Sequence, residues 1–199
     1  MNLMELNVDV FRTINDLGKQ YTYLNPVFVF IAEYMVFILL LSVIAYWFSR
    51  LEKNRMMIIS ASIAFIVAEI VGEVVGMFHS NYQPFVELSN VTKLVERSVD
   101  NSFPSDHTIL FFTFCFSFYF FKKKCSYLWI VTAFLVGMSR IWVGVHYPAD
   151  VFVGGVIGVV VAYISYLVVP KLTITKKALL KYERYEKFVL PKKNRVKGA

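Results

Sequence analysis

The sequence predicts an all-α polytopic membrane protein: a bundle of about five transmembrane helices, an N-terminal amphipathic helix and a basic C-terminal tail. Two observations lead to this fold class. Hydrophobic residues make up 57% of the chain and charged residues only 18%, whereas soluble domains are about 45–50% apolar. The apolar residues also form long runs of about 20 residues, which is the length of a helix that crosses a hydrocarbon layer about 30 Å thick.

An amphipathic helix is predicted at the N-terminus, over residues 4–20. Its apolar residues recur at helical spacing between polar ones, at Leu6, Val10, Ile14 and Leu17. Such a helix either lies on the membrane surface or caps the bundle. The chain then enters the bilayer near Pro26. Hydropathy places the five spans at 26–48, 57–78, 105–121, 127–144 and 149–169.

Basic residues are concentrated in three segments that the positive-inside rule assigns to the cytoplasm. These are the connection 50–55, the run Lys122, Lys123 and Lys124, and the chain after Pro170. The net charge of +7 is therefore explained by topology and by contact with anionic membrane lipids, and no nucleic-acid partner is expected. The N-terminus and the connections 79–104 and 140–148 are predicted to lie outside.

The same charge pattern divides the chain into a membrane-embedded domain, residues 1–170, and a basic cytoplasmic tail, residues 171–199. Apolar side chains stand among the lysines of the tail, at Leu179, Tyr182, Tyr185, Phe188 and Val189. They belong either to an interfacial helix on the inner leaflet or to a merely solvated segment.

The three histidines, His79, His107 and His146, all fall at or just beyond the predicted outer ends of spans. Histidines scattered through a core would show no such agreement. A shared site on the outer face is therefore the better interpretation, because imidazole can act as acid, base or nucleophile near neutral pH.

The segment Phe103–His107 opens the third predicted span. Proline suits the first turn of a helix, where the backbone N–H groups are free and, together with the helix dipole, favour a phosphate. Ser105 adds a hydroxyl donor, and a protonated His107 can donate to a leaving group. Asp106 either caps the helix or pairs with a cation. The alternative for the whole segment is a plain helix cap with an incidental histidine.

The segment Ser139–Asp150 links the fourth and fifth predicted spans. Arg140 offers a permanently charged planar fork for phosphate oxygens, and its burial there requires an anionic partner. Asp150, in the first turn of the fifth helix, is placed to accept a proton from one nitrogen of His146. The other nitrogen is then free to attack phosphorus. The alternative is a snorkelling arginine with an acid at a helix N-terminus.

Together these segments resemble the type 2 phosphatidic acid phosphatase superfamily, whose second and third motifs read Pro-Ser-x-His and Ser-Arg-x5-His-x3-Asp. The matching positions are Pro104, Ser105, His107, Ser139, Arg140, His146 and Asp150. The resemblance covers essentially the whole chain. It implies a helical bundle with its site at one membrane surface, so that residues 1–170 form a lipid phosphatase domain.

The resemblance also implies roles for these residues. His146 attacks phosphorus to give a phosphohistidine, Asp150 orients it, and His107 protonates the leaving group. The residues expected to bind substrate are Arg140, Ser105, Asp106, Gln83, Ser139 and His79. That family requires no metal, and no cofactor is expected.

The first motif of the family, Lys-x6-Arg-Pro, is altered in this chain. Gly76 and Gln83 replace its two cations, whereas Pro84 is kept. The neutral or switchable donors that can compensate are His79, Asn81 and Gln83. Lys93 or Arg97 folding back from the loop is a second possibility, and the alternative is that both are solvated.

The form Pro-Ser-Asp-His, with Tyr-Gln-Pro-Phe upstream, resembles the bacitracin-resistance branch of the superfamily, the undecaprenyl pyrophosphate phosphatases. The expected substrate is therefore a polyprenyl lipid pyrophosphate in the bacterial plasma membrane. Phosphatidate and phosphatidylglycerol phosphate are rival substrates. A non-catalytic lipid-binding scaffold or a lipid transporter is the rival class, although a transporter should carry polar residues near the bilayer midplane in repeated halves. The oligomeric state is left open.

Three carboxylates lie inside predicted spans, at Glu33, Glu69 and Glu73. Ionisable groups at such depth either serve the functional site or are hydrogen-bonded carboxyls that face the bundle interior.

Overall fold

The computed structural model describes residues 2–122 and 126–189, and the regular structure within these ranges is entirely helical. The α-helices of the described part are α1 Leu3–Asn15, α2 Leu17–Gln20, α3 Asn25–Phe48, α4 Glu52–Phe78, α5 Pro84–Glu87, α6 Asp106–Lys122, α7 Tyr127–Trp142, α8 Pro148–Val168 and α9 Thr173–Val189. The predicted all-α membrane fold is confirmed. Lys123, Lys124 and the end of the basic tail, residues 190–199, lie outside the described residues.

Three helical stretches are long and apolar enough to cross a membrane, namely Thr22–Phe48, Glu52–Phe78 and Pro148–Lys171. The shorter helices α6 and α7 pack beside them and complete a bundle of five. The helix bounds follow the predicted spans closely, except that α4 begins at Glu52 rather than at 57 and α7 ends at Trp142 rather than at 144.

The central helix of the bundle is α6, which packs on α4, α7 and α8. Its phenylalanines point in several directions, and Phe111, Phe114 and Phe118 are all buried. Helices in lipid are held together mainly by close packing rather than by exclusion of water. The aromatic residues of α6 therefore fill the space between its neighbours.

The backbones of α6 and α8 approach each other closely. A Cβ atom at Gly154 would lie 2.9 Å from the carbonyl oxygen of Ser105, and one at Gly158 would lie 3.0 Å from the backbone nitrogen of Thr113. Small residues spaced by four let helix backbones touch in this way. The N-terminal ends of α6 and α8 consequently lie side by side, and the Ser105 N–H donates to the Asp150 carbonyl at 3.2 Å.

The N-terminal helix α1 caps the end of the bundle where α6 and α8 begin and α7 ends. Phe11 is fully buried and packs on the ring of Tyr147, with ring centroids 5.5 Å apart. The side-chain amide of Asn15 donates to the Trp142 carbonyl at 2.9 Å. Of the two arrangements expected for this amphipathic helix, the structure has the cap.

The C-terminal helix α9 folds against the opposite end of the bundle. Arg55 of α4 is almost fully buried there and forms ion pairs with Glu183 at 3.3 Å and with Glu186 at 2.7 Å. The indole N–H of Trp47 donates to the Tyr182 hydroxyl at 3.0 Å. The described part of the tail is thus a helix bound to α3 and α4, which excludes the merely solvated segment.

Candidate active site

The start of α6 forms one wall of the candidate site. Ser105 occupies the N-cap position, because its carbonyl accepts the Ile109 N–H at 2.9 Å and its Oγ accepts the Thr108 hydroxyl at 3.0 Å. Pro104 lies two residues before the first helical residue, Asp106, and so is not in the first turn as the sequence suggested. The N–H groups of this first turn have no acceptor within the helix, which makes them suitable donors for an anion.

A backbone carbonyl orients the ring of His146. Nδ1 of His146 lies 2.9 Å from the carbonyl oxygen of Ser102, and the backbone N–H of His146 donates to the Arg140 carbonyl at 3.3 Å. Because a carbonyl oxygen can only accept, the ring proton resides on Nδ1 and the lone pair is left on Nε2. A nucleophilic imidazole needs this tautomer.

Asp150 supports the His146 ring less directly than expected. Its Oδ2 accepts the Ser102 hydroxyl at 2.5 Å and the Tyr147 N–H at 2.9 Å. The same oxygen lies 3.6 Å from Nδ1 of His146, which is too long for a hydrogen bond. The acceptor of the Nδ1 proton is therefore the Ser102 carbonyl, and Asp150 contributes a nearby negative charge.

Ser102 is the member of this cluster that the sequence did not reveal. It is buried, and its backbone N–H donates to the Asn81 carbonyl at 2.8 Å. The side-chain amide of Asn81 in turn donates to the Ser102 hydroxyl at 3.2 Å. Asn81, considered above as a substrate donor, is thus engaged within the protein. A loop serine that contributes mainly a carbonyl leaves no signal in sequence spacing.

Arg140 is completely buried at the end of α7, and part of its guanidinium is unpaired. Nη1 donates to the Ala32 carbonyl at 3.1 Å and lies 3.8 Å from Oε1 of Glu33. Nε and Nη2 have no hydrogen-bond partner among the described residues. Glu33 is therefore the anionic partner that the burial of Arg140 required, and two charged donors remain available.

Ser139, expected to bind substrate, has its hydroxyl engaged elsewhere. Its Oγ donates to the Val136 carbonyl of the same helix at 2.7 Å, and the side chain is fully buried. Serine often bonds back to its own helix in this manner. We therefore assign Ser139 a packing position next to Arg140.

The three principal groups of the candidate site lie at one end of the bundle. His107 stands in the first turn of α6, Arg140 in the last turn of α7, and His146 immediately before α8. His107 is close enough to both Arg140 and His146 to interact with them electrostatically. A shared site on one face of the membrane is thus compatible with the geometry.

The altered first motif has a structural explanation at both positions. A Cβ atom at Gly76 would lie 2.8 Å from the carbonyl oxygen of Phe103, so this position has no room for a lysine side chain. Gln83 is buried, and its amide N–H₂ donates to the Ser98 carbonyl at 3.2 Å and to the Asp100 carboxylate. Its Oε1 accepts the Asp100 N–H at 3.3 Å. Gln83 therefore holds the loop together and is not free to bind substrate, contrary to the expectation.

The two remaining candidate residues, His79 and Asp106, lie at the margin of the site. His79 is exposed and packs edge-on against the Phe103 ring, with centroids 4.7 Å apart. It lines a cavity of about 440 Å³ with Asn81 and Asp150, and the structure gives it no contact with His107. Asp106 is exposed on the first turn of α6 and interacts electrostatically with Arg140.

Tyr147 lies beside Asp150 and contacts the helix α5. Its hydroxyl donates to Oε2 of Glu87 at 2.9 Å. Burial, followed by this hydrogen bond, raises the pKa of the Tyr147 phenol well above its usual range. Tyr147 therefore remains neutral and acts as a fixed wall beside Asp150. Within residues 2–122 and 126–189, no group of three His, Cys, Asp or Glu residues is arranged to hold a metal ion.

Comparison with known proteins agrees with this arrangement. The chain is 54% identical over 195 residues to the "Bacitracin transport permease protein BcrC" of Bacillus licheniformis, covering 98% of this chain and 96% of the relative. It is 29% identical over 161 residues to the "Undecaprenyl-diphosphatase BcrC" of Bacillus subtilis, covering 81% and 83%. The crystal structure of Aquifex aeolicus LpxE superposes with a TM-score of 0.60 at 29% identity, covering 80% of this chain and 94% of that one.

The sequence pattern of the PAP2 superfamily matches residues 56–174. This range runs from the second turn of α4 into the first turn of α9 and contains Ser102, His107, Arg140, His146 and Asp150. The helices that position the candidate site are therefore those that the pattern describes, and we conclude that the chain belongs to the PAP2 superfamily.

Proposed function

We propose that this protein hydrolyses undecaprenyl pyrophosphate to undecaprenyl phosphate and inorganic phosphate through a phosphohistidine. The reaction would recycle the lipid carrier of cell-wall synthesis and support resistance to bacitracin. The name of the Bacillus subtilis relative, undecaprenyl-diphosphatase, favours this substrate, and the name of the Bacillus licheniformis relative contains bacitracin.

The observation that carries the proposal is the unpaired part of Arg140. Nε and Nη2 are buried and lack a partner among the described residues, and leaving charged donors unpaired in a buried place is costly. Two parallel N–H groups of an arginine fit two oxygens of a phosphate. The free N–H groups at the start of α6 add further donors beside His107.

In the first step, Nε2 of His146 attacks the terminal phosphorus of the pyrophosphate. The bond from phosphorus to the bridging oxygen breaks, and its electron pair stays on that oxygen. Protonated His107 donates a proton to the oxygen, so that undecaprenyl phosphate leaves. Arg140 holds the oxygens of the transferred phosphoryl group, and the carboxylate of Asp150 balances the positive charge that develops on His146.

In the second step, a water molecule attacks the phosphorus of phosphohistidine. His107, now neutral, takes a proton from this water, and the bond from phosphorus to Nε2 breaks with its electron pair returning to the ring. Inorganic phosphate leaves and both histidines regain their starting protonation states. The two steps use one acid–base residue in opposite directions.

We place the site at the outer face of the bacterial plasma membrane and the C-terminus in the cytoplasm. The end of the bundle opposite the site is rich in basic residues, which supports this orientation. They include Arg50, Lys53, Lys176, Lys177 and Lys181. Residues 1–170 then form the lipid phosphatase domain and 171–199 the basic cytoplasmic tail, with α9 docked on the domain through Arg55.

An apolar groove offers a place for the polyprenyl chain of the substrate. It has a volume of about 630 Å³, lies between α6, α7 and α8, and extends from Pro148 near the site to Val160. Twelve residues of helix correspond to about 18 Å along the helix axis. A lipid bound there would present its pyrophosphate at the bundle end that carries Arg140.

Phosphate release from purified protein in detergent tests the proposal. We expect wild type to turn over undecaprenyl pyrophosphate faster than phosphatidate or phosphatidylglycerol phosphate, and His146→Ala to release none above background. Substrate labelled in the terminal phosphate should transfer its label to wild type in an acid-labile form and leave His146→Gln unlabelled. Preference for a glycerolipid would overturn the substrate, and equal release by wild type and His146→Ala would overturn the enzyme.

Transport is the second candidate function, because a relative that is 54% identical to this chain is named a transport permease. Transporters commonly bind their cargo near the bilayer midplane on broken helices. Here Arg140 and the two histidines lie at the ends of continuous helices. Bacitracin flux into proteoliposomes that is equal for wild type and His146→Ala, with no phosphate release from either, would favour transport.

A further inference from the structure

The phosphate site lacks the two cations of the first family motif, and neither position can supply a substitute. The Phe103 carbonyl occupies the space beside Gly76, and Gln83 is engaged with Ser98 and Asp100. Pyrophosphate carries more negative charge than a phosphate monoester. A further cation from another part of the chain would therefore stabilise the bound substrate.

The connection between α5 and α6 folds back toward the site, where such a cation is needed. The Leu94 N–H donates to the Val143 carbonyl at 3.1 Å. Val95 is buried and packs in one cluster with Val143 and Val145. Because Val145 directly precedes His146, these contacts fix the first half of the connection beside the nucleophile.

The second half of the connection is fixed as well. The Ser98 carbonyl and the Asp100 side chain accept the buried amide of Gln83. The Ser102 N–H donates to the Asn81 carbonyl at 2.8 Å. Arg97 lies between these two groups of anchors, so its backbone has little freedom to move away from the site.

The side chain of Arg97 is half-buried and unpaired. It has no ion pair and no side-chain hydrogen bond within the part of the chain that the structure describes. It lies close enough to both His107 and Arg140 to interact with them electrostatically. A cation held near another cation without a carboxylate of its own is unfavourable until an anion binds between them.

The other cation of this loop, Lys93, behaves differently. Its ammonium group lies 3.6 Å from Oε2 of Glu96 and 4.2 Å from the centre of the Phe85 ring. Lys93 is exposed, and its ammonium group donates to the backbone carbonyl of Arg97 at 3.4 Å without contacting the Arg97 guanidinium. Lys93 therefore provides a matched control for Arg97, with the same charge in the same loop.

We infer that Arg97 is a substrate-binding residue that replaces the first-motif cations and holds the pyrophosphate together with Arg140. The inference rests on the proposed function, because it assigns Arg97 to the same phosphate site. Arg140 binds from the end of α7 and Arg97 from the connection before α6, and the free N–H groups at the start of α6 add further donors. A cation in the connection before α6 thus takes the place of those expected at Gly76 and Gln83.

Two measurements on the whole chain test this role, and the first of them requires no catalytic turnover. Binding of inorganic phosphate is measured from the rise in Tm that it produces, and kcat and KM are measured with undecaprenyl pyrophosphate. For Arg97→Gln we expect about 10- to 100-fold weaker phosphate binding and a similar loss in kcat/KM, mostly through KM. Arg97→Lys should lose less, and Lys93→Gln should match wild type in both measurements.

Wild-type phosphate binding and wild-type kcat/KM in Arg97→Gln would overturn the inference. Lys93→Gln losing as much phosphate binding and kcat/KM as Arg97→Gln would also overturn it, because the effect would then come only from the overall charge of the loop. If Arg97→Gln fails to fold, Arg97→Lys carries the test, and phosphate binding equal to that of wild type overturns the role. If wild type hydrolyses no lipid pyrophosphate but loses phosphate binding on Arg97→Gln, the proposed function fails while the anion site stands.

Discussion

The substitution Asp150→Asn separates two ways in which a carboxylate can assist a nucleophilic histidine. If Asp150 accepted the Nδ1 proton directly, the amide would disturb the tautomer of His146. The Nδ1 proton is instead directed at the Ser102 carbonyl at 2.9 Å. The tautomer is therefore expected to survive, and the substitution removes only a negative charge 3.6 Å from the ring.

The size of the effect follows from that distance. Two unit charges 3.6 Å apart interact by about 4.6 kcal/mol at an effective dielectric constant of about 20. Asp150 and His146 are both buried, so solvent screens the pair little. If about half of the positive charge has developed in the transition state, the loss is about 2.3 kcal/mol, which corresponds to about 50-fold in kcat. KM should change little, because Asp150 is proposed to act on the charge of His146 and not to bind the substrate.

Single-turnover phosphate release with undecaprenyl pyrophosphate measures this loss without interference from product release. Ser102→Ala is the companion variant, because it removes the hydroxyl donor to Asp150 but keeps the carbonyl. The Tyr147 N–H still holds the carboxylate, so we expect a smaller loss of about tenfold, equivalent to about 1.4 kcal/mol. A loss of about 10⁴-fold in Asp150→Asn would indicate a wrong tautomer and refute this reasoning, and so would an unchanged rate.

Four further outcomes are expected. Arg140→Lys should lower kcat/KM by about 10²- to 10⁴-fold in the phosphate-release assay, because one ammonium cannot replace two charged N–H donors. Gly158→Ala places a methyl group 3.0 Å from a backbone nitrogen of α6 and should lower the Tm by an amount equivalent to about 1–3 kcal/mol. Gly72→Ala should cost less, because its one close contact is with the flexible end of the Ile109 side chain. Glu186→Gln removes a partner of the buried Arg55 and should lower the Tm without changing kcat at 25 °C. Phosphate release should persist after treatment with a chelator.

The fold followed from the sequence because the bilayer imposes simple limits on it. A helix must be long and apolar enough to satisfy its backbone in hydrocarbon, so hydropathy located α3, α4 and α8 to within a few residues. The packing of α9 was less accessible, although Tyr182, Glu183 and Glu186 share one helix face. This face can be recognised as a binding face only when Arg55 is known to be buried, and the burial of Arg55 depends on the tertiary fold.

The candidate site was predictable where it depends on side-chain identity at fixed spacing. His107, Arg140, His146 and Asp150 could be proposed because the chemistry of phosphate transfer requires those residue types. Ser102 could not, since its main contribution is a backbone carbonyl that any residue possesses.

Donor residues were harder to assign, because a donor in the sequence can bond either to substrate or to the protein itself. Gln83 and Ser139 turned inward, to the loop and to the helix respectively. Arg97 lies close enough to His107 and Arg140 to interact with them electrostatically, which agrees with one of the two alternatives. Only the conformation of the loop distinguishes these cases.

The backbone contact of α6 with α8 has a consequence for work in different membranes. Tilting of helices is one way in which proteins adjust to bilayers of unequal thickness. Because Gly154 and Gly158 bring main chain against main chain, these two helices must tilt as one body. The distance between His107 on α6 and His146 before α8 should therefore not change with the length of the surrounding acyl chains.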